Sequence, residues 1–544
     1  MELLIVVVLG LLVIAAASLL GPKFGVAAPL VLVLVGIGVS FLPFVPEFSL
    51  DPEWILAGIL PPLLYSASVS MPAMNFRREF GAISGLSITL VIISALVLGV
   101  FFAWAIPDLG LAWGIALGAI ISPTDAVATS ILKSTPASPR VVAILEGESL
   151  LNDATALVLL RTSIAGAAAA FSFWSAIGDF LFAVAVAAVI GYLVARLNLL
   201  LRARVGNATV NTVISFTVPF LASIPAELLG ASGLVAAVVA GLATGRRAPR
   251  VLSPQHRLSD SQNWRTVELV LEGVVFLTMG LGISAVIADV NRDHAGFGTA
   301  VVLAVAALVI TVLVRAVYVA PLLAGLHRRA RRGEQMKPRL TQMQQHFDDG
   351  NTAPMPFDAR GGPRRQPPSL GSRDIGRMTT RIRRGLADID YLLLAPLGWK
   401  EGTIVVWAGM RGAVTVAAAQ TLPEGTPSRS LLVLIAYVVA VLSLVVQGGT
   451  LAPVIAWLKP SPPDAEADQD ERRRVLELLT DVATRTHNNG VSAKQQALSV
   501  IAAKRTALLD ARDDGTFDSE VLDAVLISLD AEQMSIESQG NPRE

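Results

Sequence analysis

The sequence predicts an all-α polytopic membrane protein, with about 13 transmembrane helices and a cytoplasmic helical tail. Three observations carry that fold class. Only 16% of the 544 residues are charged and 53% are hydrophobic, whereas a soluble chain carries about a quarter charged residues. The apolar residues gather in blocks of about 18–25, the length that crosses a hydrocarbon core as helix and too long for barrel strands. Basic residues crowd alternate connecting loops, the pattern of the positive-inside rule.

By hydropathy and length, spans are expected at 2–20, 25–45, 54–72, 84–106, 111–133, 140–166, 171–198, 208–230, 233–245, 266–288, 297–326, 401–422 and 430–457. The first block lacks a basic leader and reads as a span rather than a cleaved signal. One set of loops holds Lys23, Arg77, Arg78, Lys133, Arg140, Arg196, Arg202, Arg204, Arg246, Arg247 and Arg250, and ends in the run HRRARR at His327–Arg332. The other set holds Glu47, Asp51, Glu53, Asp108, Glu227, the NRDH turn and Glu424. The first set is therefore cytoplasmic, with the N-terminus outside and the C-terminus inside, in a cell membrane. An odd span count demands the same orientation.

Two segments stand outside the spans. Residues 327–390 are rich in Arg, Gly, Pro and Gln, include GGPRRQPPSLGSR, and read as a disordered basic cytoplasmic loop able to touch anionic lipid. From residue 458 to 544 the chain turns polar, with helical apolar spacing in RRVLELLTDVATR, QQALSVIAAKRTALLDA and SEVLDAVLISLDAEQ. The domain division expected is thus a transmembrane part, 1–457, and a helical tail, 458–544. DARDDGTFDSEV mimics a calcium loop, but Arg512 and Val521 stand where ligands are needed, so a helix–turn–helix joint is expected there. The chain has no cysteine, which excludes disulfides and thiolate chemistry. Its histidines, His256, His294, His327, His346 and His487, all read as loop or tail residues. With no nucleophile–base pair or metal cluster visible, neither an enzyme nor a cofactor nor a nucleic-acid partner is expected.

Chemistry concentrates where carboxylates interrupt apolar runs. A charged side chain at mid-bilayer costs about 2.5–3.5 kcal/mol on the insertion scale, so such residues mark an ion pathway by default. EGESLLND puts Glu146, Glu148 and Asp153 in the sixth span. At about 100° per residue, Glu146, Ser149 and Asp153 share one face, and Glu148 and Asn152 another. The first set offers oxygens to a hard cation. The second needs a partner, which either Arg315 or Arg411 can supply from later spans. In the fifth span, SPTDAVA, Pro123 breaks the helix and leaves Thr124 and Asp125 at the break. Irregular backbone at membrane depth survives only where it lines a cavity or is buried in protein. Carriers place such breaks in matched positions of inverted repeats, and GMRGAV, with Gly409 and Gly412, is the counterpart in the second half. If Asp153 takes either a proton or a monovalent cation, the loaded site is neutral and crosses the apolar barrier, whereas the empty charged site does not.

In that order, SPTDAVA, EGESLLNDATALVLLR and WAGMRGAVTVAAA resemble the monovalent cation:proton antiporter-1 family, over about residues 1–457. The resemblance implies inverted repeats, broken crossing helices and a homodimer exchanging sodium or lithium for protons by alternating access. It implies Asp153 and Asp125 as the acting carboxylates, with Ser149, Thr124 and position 66 as further cation contacts and Asn152, Glu148, Arg315, Arg411 and Glu146 in support. It favours Arg315 as the partner of Glu148, and Asn152 in place of a second aspartate implies electroneutral one-for-one exchange. Two departures stand out: Ser66 occupies a place where several relatives carry glutamate, and Ala126 one where many carry proline. Potassium is the alternative cation, and a transport-impaired sensor the alternative class.

Overall fold

The computed structural model describes residues 2–43, 51–168, 173–293, 296–348, 372–460, 465–486 and 492–538. Among them there is no strand, and helices occupy every stretch expected to span. The chain divides into two compact units, Met1–Pro321 with Trp399–Pro462, and Leu322–Gly398 with Pro463–Glu544.

The first unit opens with α1 (Glu2–Leu20), α2 (Ala28–Ser40), α3 (Leu60–Ser70), α4 (Ala73–Ser84) and α5 (Val91–Ala105). π-helical turns at Trp54–Ile59 and Gly85–Leu90 lead into α3 and join α4 to α5. The fifth span is in two pieces, α6 (Gly110–Ile121) and α7 (Val127–Lys133), followed by the long α8 (Pro139–Ala168) and α9 (Phe173–Arg202). Next come α10 (Ala208–Leu228), α11 (Gly233–Val251), α12 (Pro254–Leu281), α13 (Ile283–Arg292) and α14 (Phe297–Asp348). Six helices of the described residues are long and apolar enough to cross a membrane by length and composition alone. Local sequence sets the starts: the side chains of Asn207, Ser232 and Ser253 accept from the N–H groups of Val210, Val235 and His256 and so cap α10, α11 and α12. The unit closes with a second broken span, α16 (Trp399–Trp407) and α17 (Ala413–Gln420), and with α18 (Arg429–Ser443) and α19 (Gly449–Leu458).

A buried polar clamp ties α9, α10 and α12 together. Arg202 ion-pairs with Asp260, and its Nε donates to Asn211 Oδ1 at 2.6 Å. Ser215 Oγ donates to Asp260 Oδ1 at 3.1 Å and accepts from Trp264 Nε1 at 3.1 Å. His256 is buried beside Asn211, within the first turn of α12, and is a core residue rather than a loop one. The Ser-Pro cap at 253–254 starts that helix earlier than hydropathy marks the span. His327 and His346 likewise fall inside α14; His294 and His487, with Glu47, lie outside the described residues.

In the second unit the basic segment is not an irregular loop where it is described. α14 continues to Asp348, and α15 (Ser372–Leu394) follows. Apolar residues at 375, 378, 382, 386, 389 and 393 recur at helical spacing that the arginine-rich composition conceals. Ile382, Tyr391 and Leu392 are buried, and Lys337 pairs with Asp390 at 2.5 Å. Most of GGPRRQPPSLGSR lies outside the described residues. The tail forms α20 (Ala465–Arg485), α21 (Ala493–Asp514) and α22 (Ser519–Ser538), packed on Val475, Leu479, Leu508, Leu509, Val521, Leu522, Leu526 and Leu529. The calcium-loop mimic is the α21–α22 joint. Gly515 takes the left-handed conformation there, and Thr516 N–H reaches back to Ala511 O.

Burial pushes the carboxyl of Asp523 on α22 up, a shift that Arg512 opposes and Asp518 reinforces. A raised folded pKa favours the protonated acid in the fold, so its stabilising effect is lost as pH rises through that value. Amide hydrogen exchange of residues 519–538 should therefore be slower in Asp523→Asn than in the unmodified chain at pH 8. The difference should shrink toward pH 4.

Candidate ion site at the crossing of two broken helices

The two interruptions cross each other. α6 ends at Ile121 and α7 resumes at Val127, while α16 ends at Trp407 and α17 resumes at Ala413. The unwound strands are pinned where Asp125 N–H donates to Met410 O at 2.7 Å. Proline drives the first break and glycine the second. A side chain at Gly412 would run into the Asp125 carboxylate, and a Cβ at Gly409 would lie 2.6 Å from Arg315 Nε. Both close approaches need the bare backbone of glycine.

Four helix ends meet at this crossing, and their orphan groups are met by opposite charges. Asp125 Oδ1 accepts from Val127 N–H at 3.0 Å, and its carboxylate also takes the N–H of Ala413, so one acid caps the starts of both α7 and α17. Arg411 does the converse. Its Nε donates to Ile121 O at 3.0 Å at the end of α6, and its Nη1 donates to Gly409 O just past α16. Anions suit helix N-termini and cations suit C-termini, because the partial charges there are about half an elementary charge. Around Arg411, its N–H donates to Ser443 Oγ at 2.9 Å. Ser443 in turn donates to Gln447 Oε1 at 2.5 Å, and Gln447 Nε2 donates to Trp407 O at 3.2 Å.

α8 supplies the rest. Glu148 is held bidentately by Arg315, with Nη2 to Oε2 at 2.7 Å and a second contact from Nη1 to Oε1, and both side chains are only 2% exposed. Arg411 makes no such contact; its donors are spent on carbonyls. Arg315 Nε donates to Val405 O at 2.9 Å, which ties α14 to α16. Thr124 Oγ1 donates to Glu148 Oε1 at 3.2 Å and accepts from Asn152 Nδ2 at 2.6 Å. A continuous polar ladder thus runs from Arg315 through Glu148 and Thr124 to Asn152. Asn152 Oδ1 is buried without a hydrogen-bond partner among the described residues.

Asp153 lies within electrostatic reach of Asp125 and is buried. Among the described residues its carboxylate has no hydrogen bond and no ion pair, which leaves its oxygens for an incoming ligand. Ser149 Oγ donates to Glu146 O at 3.0 Å within α8. Two expected residues have other partners. Glu146, although on the face of Asp153, pairs with Lys133 at the end of α7. Ser66 Oγ has Glu268 Oε2 as its partner, at 3.5 Å, rather than either aspartate. Sequence reasoning missed Glu268 and Glu272 of α12. The signal was present in the apolar run VELVLEGVVFL, where two acids stand four residues apart. A cavity of about 380 Å³ approaches the crossing from the other end, lined by Asp51, Val275, Thr278, Asp289, Ala413 and Arg429 among others.

Comparison with known proteins shows the family and the fold. Residues 8–341 and 382–457 match the family described as sodium/hydrogen exchanger, transmembrane. An uncharacterised sodium/proton exchanger of Mycobacterium tuberculosis is 27% identical over 477 residues, covering 86% of this chain and 76% of that protein. A sodium, potassium, lithium and rubidium/proton antiporter of Bacillus subtilis is 33% identical over 301 residues, 53% of this chain and 45% of that one. The fold matches the sodium/proton antiporter MjNhaP1 of Methanocaldococcus jannaschii with a TM-score of 0.57 and 16% identity, over 84% of this chain and 99% of that one.

Removing one member of a buried ion pair strands the other, at a cost of about 3–5 kcal/mol. Arg315→Ala should therefore lower the thermal unfolding temperature more than Glu148→Gln, whose neutral amide keeps hydrogen-bonding capacity. Gly412→Ala forces a methyl onto the Asp125 carboxylate, so it should abolish ion movement in a protein that still inserts, as measured by flux and detergent-stable yield.

Proposed function

The chain belongs to the sodium/hydrogen exchanger family of multi-pass membrane proteins, and from that premise we propose how it works. It exchanges a monovalent cation for protons. Asp153 is the carrier, and the observation that carries this reading is its burial beside Asp125 without a bonding partner among the described residues. A lone carboxylate in a membrane interior is tolerated only when something neutralises it. A proton does so, and so does sodium or lithium; because both occupy the same oxygens, they exclude one another. The loaded site is neutral and crosses between the two faces, while the empty one is held back. That difference makes exchange rather than leak.

The remaining polar groups fix the geometry. Asp125 and Arg411 hold the four helix ends, so the crossing keeps its shape as the ion changes. Asn152 and Thr124 order the unwound strand, and the Arg315–Glu148 pair anchors it to α14 and α16. Ser149 and the unpartnered oxygen of Asn152 offer neutral ligands, since hard cations take carboxylate, hydroxyl and amide oxygens. With Asn152 in place of a second acid, one proton moves per cation and exchange is electroneutral.

Thirteen crossings put the basic loop ends in the cytoplasm of a cell whose plasma membrane holds the protein, with the N-terminus outside. The cavity at Asp51, Asp289 and Arg429 then faces outward. The protein works as a homodimer, and the tail from residue 458 adjusts the transport unit without forming its ion path. Potassium is a second reading for the cation, favoured by the potassium named among the ions of the Bacillus subtilis relative.

Proteoliposomes with an imposed proton gradient and a pH dye test this directly. Sodium or lithium should collapse the gradient equally with and without a clamped membrane potential, and Asp153→Asn should abolish the response without loss of folded protein. Flux retained in Asp153→Asn would remove Asp153 from the carrier role, and a response to potassium alone would change the cation but keep the mechanism.

A further inference from the structure

α12 carries two acids that the exchange cycle described above does not use. Glu268 and Glu272 are four residues apart, so they lie one turn apart on one face of the helix. Glu268 accepts from Ser66 Oγ and stands within electrostatic reach of Lys133 and Glu146. Glu272, one turn further, stands within electrostatic reach of Glu268 and of Asp125. The two therefore bridge the interval between the bundle end marked by the Lys133–Glu146 pair and the crossing of the broken helices.

The cavity meets the same place from the opposite side. Val275 and Thr278 of α12 and Ala413 of α17 are among its lining residues. Glu272 is one turn from Val275, and Ala413 donates its N–H to Asp125. Glu272 and Asp125 thus stand one step beyond the inner wall of the cavity. Among the described residues Glu272 has no hydrogen bond and no ion pair, although it sits within the apolar run LVLEGVVFL. The fully buried Glu148 and Glu79 are held by Arg315 and Arg140, whereas Glu272 is only partly buried and keeps its carboxylate open. An unpartnered one is completed by the ion that passes it.

We propose that Glu272 is a third cation-handling carboxylate of the exchange site, contributed by α12 opposite Asp125. Glu268 relays cations between it and the cytoplasmic mouth. The proposal rests on the exchange reading and deepens it: α12 sets how strongly the site holds its cation, and Asp153 carries the exchange. α12 packs on α1, α2, α3 and α10 and also touches α17, the second half of one broken span, so a helix outside the crossing can reach the site.

The test uses the full chain in proteoliposomes, with Glu272→Gln, Glu272→Asp and Glu268→Gln compared for sodium, lithium and potassium. Glu272→Gln should raise KM for the transported cation by about tenfold or more while maximal rate falls less, and Glu272→Asp should bring KM back toward the unmodified value. Glu268→Gln should raise KM by a smaller factor. A Glu272→Gln protein with unchanged KM and unchanged order of cation preference overturns the proposal. So does an equal loss of maximal rate in the Gln and Asp variants at unchanged KM, which marks a packing role.

Cation-induced thermal stabilisation is read in parallel without any transport step. The sodium concentration at half-maximal shift should rise about tenfold in Glu272→Gln, and an unmoved midpoint counts against the proposal. Unmodified protein that shows the shift but no exchange would instead remove the exchange reading and leave the site.

Discussion

Everything in the membrane unit depends on one electrostatic arrangement, the cross-over of two broken helices whose four ends are capped by opposite charges. Breaking two spans at membrane depth exposes backbone donors and acceptors where no water exists to satisfy them. Asp125 gathers the N–H groups at the starts of α7 and α17, and Arg411 gathers carbonyls at the ends of α6 and α16. Each charge answers two helix ends, so the desolvation of each is offset by two dipoles as well as by hydrogen bonds. Gly409 and Gly412 let Arg315 and Asp125 come close enough for this to happen.

A second arrangement hangs on the first. The Arg315–Glu148 pair is buried on both sides and links α8, α14 and α16. Pairs of this kind bring little net stability compared with apolar packing, but they fix geometry because either partner alone is intolerable. From it the Thr124 and Asn152 contacts reach the strand that carries Asp125. Asp153 on α8 is then left without a hydrogen bond or ion pair among the described residues. The caps hold the shape of the crossing, and the acids without a partner among the described residues, Asp153 and Glu272, keep oxygens open to a ligand.

Much of this was legible from residue types. Long apolar blocks gave helices, because no other open structure satisfies the backbone in lipid. Pro123 marked the first break and the glycine pair marked the second, since each removes a local reason to stay helical. The acids of α8 stood out because charge is rare in apolar runs. The same logic, applied evenly, finds Glu268 and Glu272, which the dense neighbouring charges of the α12 start obscured. The basic segment after Arg332 failed for the opposite reason: its arginines dominated composition while its apolar spacing was helical, and α15 buries Ile382, Tyr391 and Leu392.

The sequence by itself determined the helical class, the places where two spans must break, and the set of acids available to an ion. These follow from local chemistry: hydropathy over one span, backbone restriction at proline, and the cost of a charge in hydrocarbon. Only the tertiary structure decided who meets whom. Helix periodicity put Glu146 and Asp153 on one face, yet Lys133 holds the former, and no described residue bonds to the latter. It left Glu148 a choice of two arginines, and packing gave it Arg315 because Arg411 is consumed by carbonyls. It left Ser66 at the site, and packing set it against Glu268. Partners drawn from different helices, most of them far apart in sequence, are a matter of how helices pack, and one-dimensional spacing carries no record of that.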